Sequence, residues 1–481
     1  MKQPSPILSF LPILLLIVLL FATIRVFGSD ALSGGSQICL LASTGVCAAI
    51  GIGCCKVRWS AIEEAIGENI KGVSTALIVL LLIGALSGSW MVSGVVPTLI
   101  YYGIQVLHPS FFLASCCVIC SIVSVMTGSS WTTIATIGIA LMGIGEAQGF
   151  SAGWVAGAII SGAYFGDKIS PLSDTTVLAS SVNNVPLFDH IRYMMYTTVP
   201  SIAIALIVYV VAGFSYNDSD TQHVAAYTAA LGESFNISLW TLLVPLATAI
   251  LIAKKVPSLI TLFLSAAMGV VCALVLQTDL IHEISQMDVR DASSLFKGSF
   301  MVLFGQTQVE TGNDALNSLV ATRGMSGMLS TIWLIVCAMC FGGAMTATGM
   351  LHSLTSVFVR FMQRRLSMIS STVFAGLFLN ICTADQYISI VLTGNMFRDL
   401  YISKGYERKL LSRTTEDAVT VTSVLIPWNT CGMTQATILN VATLTYLPFC
   451  IFNLISPLMT ILMTAAGYKV VQHKETPTAN A

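Results

Sequence analysis

The run Gly166-Asp167-Lys168-Ile169-Ser170-Pro171-Leu172-Ser173-Asp174-Thr175-Thr176 cuts an apolar stretch with two carboxylates, a lysine, a proline and four hydroxyls. A second run, Ile426-Pro427-Trp428-Asn429-Thr430-Cys431-Gly432, lies 256 positions later, counted from proline to proline (427 − 171). The flanks of the first, 156–165 and 177–182, are apolar, which argues against a surface loop holding an ordinary Asp167–Lys168 pair. Proline removes a backbone donor and breaks a helix. In lipid, freed carbonyls persist only where protein or cavity water covers them. The pattern predicts a helix that unwinds at mid-membrane, built twice, with oxygen donors suited to a small hard cation.

Composition agrees. The 481 residues are 55% hydrophobic and 9% charged, against roughly 25% charged in soluble domains, so the chain belongs in a bilayer. A net charge of −1 gives no electrostatic case for a nucleic-acid partner. The 13 cysteines lack disulfide or zinc spacing; Cys39, Cys47, Cys54, Cys55, Cys116, Cys117, Cys120, Cys337 and Cys340 fall in apolar runs and read as small hydrophobes. The six histidines are scattered, and no HExxH, P-loop or ATP-binding cassette pattern is present, so neither an enzyme nor a primary pump is expected.

Taking about 20 apolar residues per crossing, spans are expected at 7–27, 37–54, 73–107, 193–213, 238–253, 257–276, 328–358 and 444–467. The first reads as an uncleaved span rather than a signal peptide. Segments 150–180 and 414–442 hold the two breaks, while 109–147 and 367–399 each fit two full spans or one re-entrant hairpin. With the N-terminus inside, 16 Lys and Arg fall on the cytoplasmic side, including Lys2, Lys469 and Lys474; Arg25, Arg290, Lys297 and Arg323 fall outside, and Lys168 and Arg398 stay within membrane segments. That bias obeys the positive-inside rule.

The halves repeat. Gly72, Gly88 and Gly94 match Gly327, Gly343 and Gly349 at an offset of 255 (349 − 94), and Ser130 matches Asp385 at the same offset. After a one-residue slip, Pro171, Ser173 and Asp174 match Pro427, Asn429 and Thr430. The first half crosses an odd number of times, which inverts the second. The expected units are a first repeat at 1–213, an external connector at 214–237 containing Asp218, Asp220 and Glu233, a second repeat at 238–470 and a cytoplasmic tail at 471–481. Inverted repeats place binding sites at their interface.

Within this frame Asp167 and Asp174 are the first intramembrane acids, each costly enough to imply a use. Ser170, Ser173, Thr175 and Thr176 add donors. Lys168 reads as a structural charge partner of Asp167 or Asp174. Thr127-Gly128-Ser129-Ser130-Trp131-Thr132-Thr133 fits a hairpin tip, with a polar loop between full spans as the alternative. Thr383-Ala384-Asp385-Gln386-Tyr387 is its mate, and Asp385 is a further intramembrane acid. Asn429 and Thr430 supply oxygens at the second break. Asp417 is placed toward the pathway, and Glu416 as a cap or a partner of Arg413. Glu310, Asn313 and Asp314 are assigned to capping and turns.

The stretch Gly162-Ala163-Tyr164-Phe165 leading into the first run, together with Thr311-Gly312, Arg323-Gly324 and Ile426-Pro427-Trp428-Asn429, resembles the NhaC family of bacterial sodium/proton antiporters. The resemblance covers about Gly72 to Asn440; Arg323-Gly324-Met325 departs from the family's Arg-Gly-Gly. It implies an all-α polytopic protein of the bacterial plasma membrane, with about 10 full spans, two re-entrant hairpins and broken helices in two inverted repeats. It also implies exchange of sodium for protons without a cofactor; in some relatives a small carboxylate is coupled as well. The expected ion ligands are Asp174, assisted by Asp167 and Ser173, with Ser129 and Ser130 approaching from the first hairpin and Asp385, Asn429 and Thr430 forming the mate. A carrier of an organic anion or amino acid is the alternative, and a homodimer stays open.

Overall fold

A computed structural model describes residues 4–27, 34–215, 221–312, 316–317, 320–360 and 364–468. Lys2, Asp218, Asp220, Asn313, Asp314, Lys469, Lys474 and the tail 471–481 lie outside the described residues. Among the described residues the chain is helical with no strand, and an isolated β-bridge pairs Thr307 with Thr322.

Among the described residues eight helices are long and apolar enough to cross a bilayer, or ten when two bent pairs each count as one span. Apolar side chains such as Val106, Phe263 and Val275 lie exposed on their outer faces, the surface expected of a protein solvated by lipid. Hydroxyls inside these helices bond back to the preceding turn, as Thr248 does to Val244 (2.9 Å) and Thr372 to Met368 (2.9 Å), so they raise no unpaired donor in the apolar interior.

The predicted spans 73–107 and 328–358 each split. Helices Ser74–Val92 and Val95–Val106 part at Gly94, and Leu329–Ala347 and Met350–Arg360 part at Gly349. Both glycines have positive φ, 81° and 72°. The connector departs from expectation: it contains helix Thr221–Ser234, whose Tyr227 and Leu231 are buried. An apolar face too short to span still packs when a neighbouring helix covers it.

Two hairpins and two broken helices form the centre. The first hairpin runs up Pro109–Thr127 and back along 130–147; the second runs up Arg365–Thr383 and back along Gln386–Ser403. The first broken helix is Ala152–Ile169 followed by Asp174–Val182; the second is 408–425 followed by Thr430–Leu439. Small residues bring hairpin and broken helix together. A Cβ on Gly162 would lie 2.1 Å from the Cys117 carbonyl oxygen, and one on Gly166 would lie 2.4 Å from that of Ser121, the close helix approach that spaced glycines permit.

The hairpins turn inside the protein. Ser170 Oγ donates to the Val125 carbonyl (2.8 Å) and Thr430 N–H to the Ala384 carbonyl (2.8 Å), so each tip is fastened to a break. Beyond the breaks the helices continue for 9 and 10 residues, about 13 and 15 Å at 1.5 Å per residue. Each tip therefore meets a helix break, with one more short helix following it.

Candidate ion-binding site

The two tips are built alike. Gly128 and Ala384 both adopt left-handed backbone (φ 66° and 57°), and Ser129 and Asp385 follow as extended N-caps of the returning legs. Ser129 Oγ accepts the Thr132 N–H at 3.2 Å, and Asp385 Oδ1 accepts the Ile388 N–H at 2.9 Å. Behind them, Thr127 and Thr383 each donate to the cap residue's carbonyl and accept its N–H. The mate of Asp385 is thus Ser129, not Ser130: the offset is already 256 at the tip (384 − 128). The one-residue slip falls between Gly94 and Gly128.

Helix caps also organise the breaks. Ser173 Oγ accepts the Thr176 N–H (3.3 Å), and Asn429 Oδ1 accepts the Cys431 N–H (3.1 Å). Neither Ser173 nor Asn429 is exposed. These short polar side chains satisfy donors that a mid-membrane helix start would leave open.

Each carboxylate then joins a tip to a break, in opposite senses. In the first site Asp167 stands on the broken helix, and its Oδ2 accepts both the backbone N–H (3.0 Å) and the hydroxyl (2.7 Å) of Ser130 at the tip. In the second, Asp385 stands on the tip, and its Oδ2 accepts the Thr430 hydroxyl at the break (3.1 Å). Asn429 Nδ2 donates to the Asn380 carbonyl (3.2 Å), tying the second break to the hairpin's rising leg. Asp167 and Asp385 are 7% and 1% exposed, and among the described residues neither has a salt-bridge partner. Half-buried Tyr387 is within electrostatic reach of Asp167, Asp174 and Asp385 together.

Several expectations are corrected. Asp174 is exposed at the first turn of its short helix, not enclosed, and the Ser130 contacts go to Asp167. Lys168 pairs with Asp417 rather than with Asp167 or Asp174; Ser456 and Thr460 complete that cluster, and the Phe452 ring lies 5.6 Å from the ammonium. Glu416 does not meet Arg413, whose guanidinium stacks on Tyr193 at 4.7 Å. Glu310 accepts from Asn317 Nδ2 (3.2 Å), a turn contact.

Sequence reading missed Asn380, Gln386 and Ser423, all buried around the second site, where Ser423 Oγ donates to Gln386 Oε1 (3.2 Å). The signal was present in two amides, Asn380 and Gln386, lying within an apolar run. A cavity of about 830 Å³ whose wall includes Glu146, Arg323, Thr331, Met433, Thr437 and Asn440 reaches within one helical turn of Thr430.

Fold and site together define a polytopic α-helical membrane transporter with paired hairpin-and-broken-helix polar sites. A sequence model of the Na+/H+ antiporter family matches residues 6–177 and 162–468, and the chain belongs to that family. It is 38% identical to the Na+/H+ antiporter NhaC of Alkalihalophilus pseudofirmus over 86% of this chain and 87% of that one. It is also 38% identical to the malate-2H+/Na+-lactate antiporter of Bacillus subtilis, over 81% of this chain and 80% of that one. The arginine/ornithine antiporter ArcD of Halobacterium salinarum is 34% identical over 98% of this chain and 93% of its own length.

Proposed function

We propose that the protein exchanges sodium for protons across the bacterial plasma membrane, with both termini in the cytoplasm, by alternating access between two inverted repeats, 1–213 and 238–470. The observation that carries this reading is the pair of enclosed carboxylates, Asp167 and Asp385, each fixed between a tip and a break and, among the described residues, without a salt-bridge partner. A carboxylate removed from water either gathers a cation or takes up a proton. Sodium and protons then exclude one another at one oxygen set, and that exclusion is sufficient for exchange.

Asp167 and Ser130 form the core of the first site, with Ser129, Ser173 and exposed Asp174 at its border. Asp385, Thr430 and Asn429 form the second. The ions are cargo, no cofactor is required, and no bond of a substrate is made or broken. The repeats, facing opposite ways, would open the sites to each side in turn.

In everted vesicles, sodium added to a preformed pH gradient should dequench a pH-sensitive dye with the wild type and fail to do so with Asp167→Asn or Asp385→Asn. Near-normal dequenching in both variants overturns the assignment. A second reading, coupled carriage of a small carboxylate or amino acid, draws on the Arg323 and Glu146 side chains in the cavity wall and on the named substrates of two relatives. It requires proton movement that depends strictly on malate, lactate or an amino acid added to the same vesicles.

A further inference from the structure

Glu416 shares no hydrogen bond with either site, although Asp167 of the first lies within electrostatic reach of it. It opens a single π-helical turn, Glu416–Thr420, inserted in the second broken helix. Such turns bulge one residue out of the ordinary register and are common at functional positions. The side chain is fully buried, and neither carboxylate oxygen has a hydrogen-bond partner. The Thr420 hydroxyl faces it but falls short of a hydrogen bond. No lysine, arginine or histidine forms a salt bridge with it among the described residues.

The charges facing Glu416 are Lys168 and Asp167 on the first broken helix and Asp417 beside it. Lys168 is committed to Asp417. Successive residues of a helix point about 100° apart, so only one of this acidic pair meets the lysine, and it is Asp417. Arg413, one turn earlier, lays its guanidinium on the Tyr193 ring with its nitrogens unpaired and forms no salt bridge with Glu416; His190 is bonded to Ser412 (2.6 Å), and Asp174 is exposed. On the second hairpin, Arg398 bonds to the Val182 carbonyl (3.1 Å) and Asp399 is exposed.

A fully enclosed carboxylate with no donor and no cation is the arrangement that costs most when ionised and least when it holds a proton. One turn before Glu416, Arg413 and its stacking partner Tyr193 lead to a second cavity of about 660 Å³, whose wall includes Tyr193, Arg192, Arg408 and Lys409. Polar atoms without partners, on Thr415 and Arg413, lie along the same stretch.

We propose that Glu416 is a proton-binding group of its own, separate from the oxygens that take sodium, and that it moves one proton in each transport cycle. The step breaks one carboxyl O–H bond and remakes it, with the proton passing to water in the cavity and no other group altered. This inference rests on the sodium/proton exchange reading.

The test measures the proton-to-sodium ratio by null point: purified protein in liposomes is given opposed sodium and pH gradients until net flux ceases. The ratio should fall by about one proton per cycle in Glu416→Gln relative to wild type, each proton adding one power of the pH gradient to the balance. It should be unchanged in Glu416→Asp, which keeps the ionisable group. An unchanged null point in Glu416→Gln overturns the proposal. So does loss of sodium–sodium counterflow together with proton movement in well-folded Glu416→Gln, because that puts Glu416 in the cation site. If Glu416→Gln does not fold, infrared difference spectra decide: the carbonyl stretch of a protonated carboxyl should be present in wild type and displaced in Glu416→Asp, and an identical band in the two overturns the proposal. A wild type that moves no protons with sodium removes the exchange reading itself, and this one with it.

Discussion

Lys168 and Asp417, 249 positions apart in the chain, form an ion pair in which neither side chain has any solvent exposure. It joins the first broken helix to the second, next to Asp167. Ser456 and Thr460 from helix Ile451–Ala465 donate to the same carboxylate, so its oxygens are engaged on two sides. The pair commits Lys168 to Asp417, and among the described residues Asp167 has no salt-bridge partner.

Breaking this pair should destabilise the protein more than deleting it. Removing one partner from a buried ion pair costs about 3–5 kcal/mol, because the other charge is stranded, whereas an apolar pair of similar volume is often tolerated. Lys168→Met and Asp417→Asn should each lower the unfolding midpoint in detergent, and Lys168→Met with Asp417→Leu should recover part of the loss. The midpoint should also change little with added salt, since buried pairs are weakly screened. A wild-type midpoint in Asp417→Asn would show that the pair does not hold the halves together.

The glycines between the first hairpin and the first broken helix give a sharper steric prediction. The Cβ of Gly162→Ala would meet a backbone carbonyl at 2.1 Å, which no rotamer change relieves. Overpacking of this kind costs about 1–3 kcal/mol, and here it would also push the tip from Asp167. Gly67→Ala, on helix Trp59–Gly72 with nothing within 4 Å of the added Cβ, should instead be neutral or stabilising by roughly 0.5–1 kcal/mol. Equal unfolding midpoints for the two variants would refute the close-packing account.

Much of this centre was legible before any coordinates. Pro171 and Pro427 marked the breaks, because proline and clustered hydroxyls inside an apolar run have few structural uses. Gly128 marked a turn, and Asp385 stood out as a lone acid. The tip register was not legible, since Ser129 and Ser130 are chemically identical and only the backbone reveals which one caps the helix. Nor was the partner of Lys168: Asp167 and Asp174 are near in sequence, whereas Asp417 comes close only once the two broken helices pack together. The exposure of Asp174 depended on which face of a 9-residue helix turns inward, a choice its sparse apolar pattern does not specify. Glu416 read as a cap or a partner of Arg413 because Arg413 precedes it by one turn, but the Arg413 guanidinium lies on the Tyr193 ring instead.

Asp385 carries two roles that substitution can part. As an N-cap it satisfies the Ile388 N–H, the role Ser129 fills in the first tip. As an acid it faces Thr430. Asp385→Ser keeps a capping oxygen and removes the charge, whereas Asp385→Ala removes both, at a further cost of about 1 kcal/mol for the cap. Both variants should lose sodium-driven proton movement, and Asp385→Ala alone should also lose thermal stability. Retained exchange in Asp385→Ser would leave the carboxylate a structural cap and nothing more.

Competition at one oxygen set fixes the sign of the pH dependence. On the proposed exchange at Asp167 and Asp385, protons should fill both carboxylates at low pH and sodium must displace them, so the sodium concentration for half-maximal exchange should be high. It should fall as pH rises, by up to about ten-fold per pH unit while the carboxylates are mostly protonated, and then level off once they are ionised. Among the described residues neither carboxylate has a salt bridge to relieve this contest: the donors around Asp167 and Asp385 are hydroxyls and backbone N–H groups, and Lys168 is held by Asp417. Initial rates of dye dequenching over a matrix of pH and sodium would measure it. A half-saturating sodium concentration that stays constant with pH would mean that the two ions never share a site, and the exchange would then need separate routes for sodium and protons through the protein.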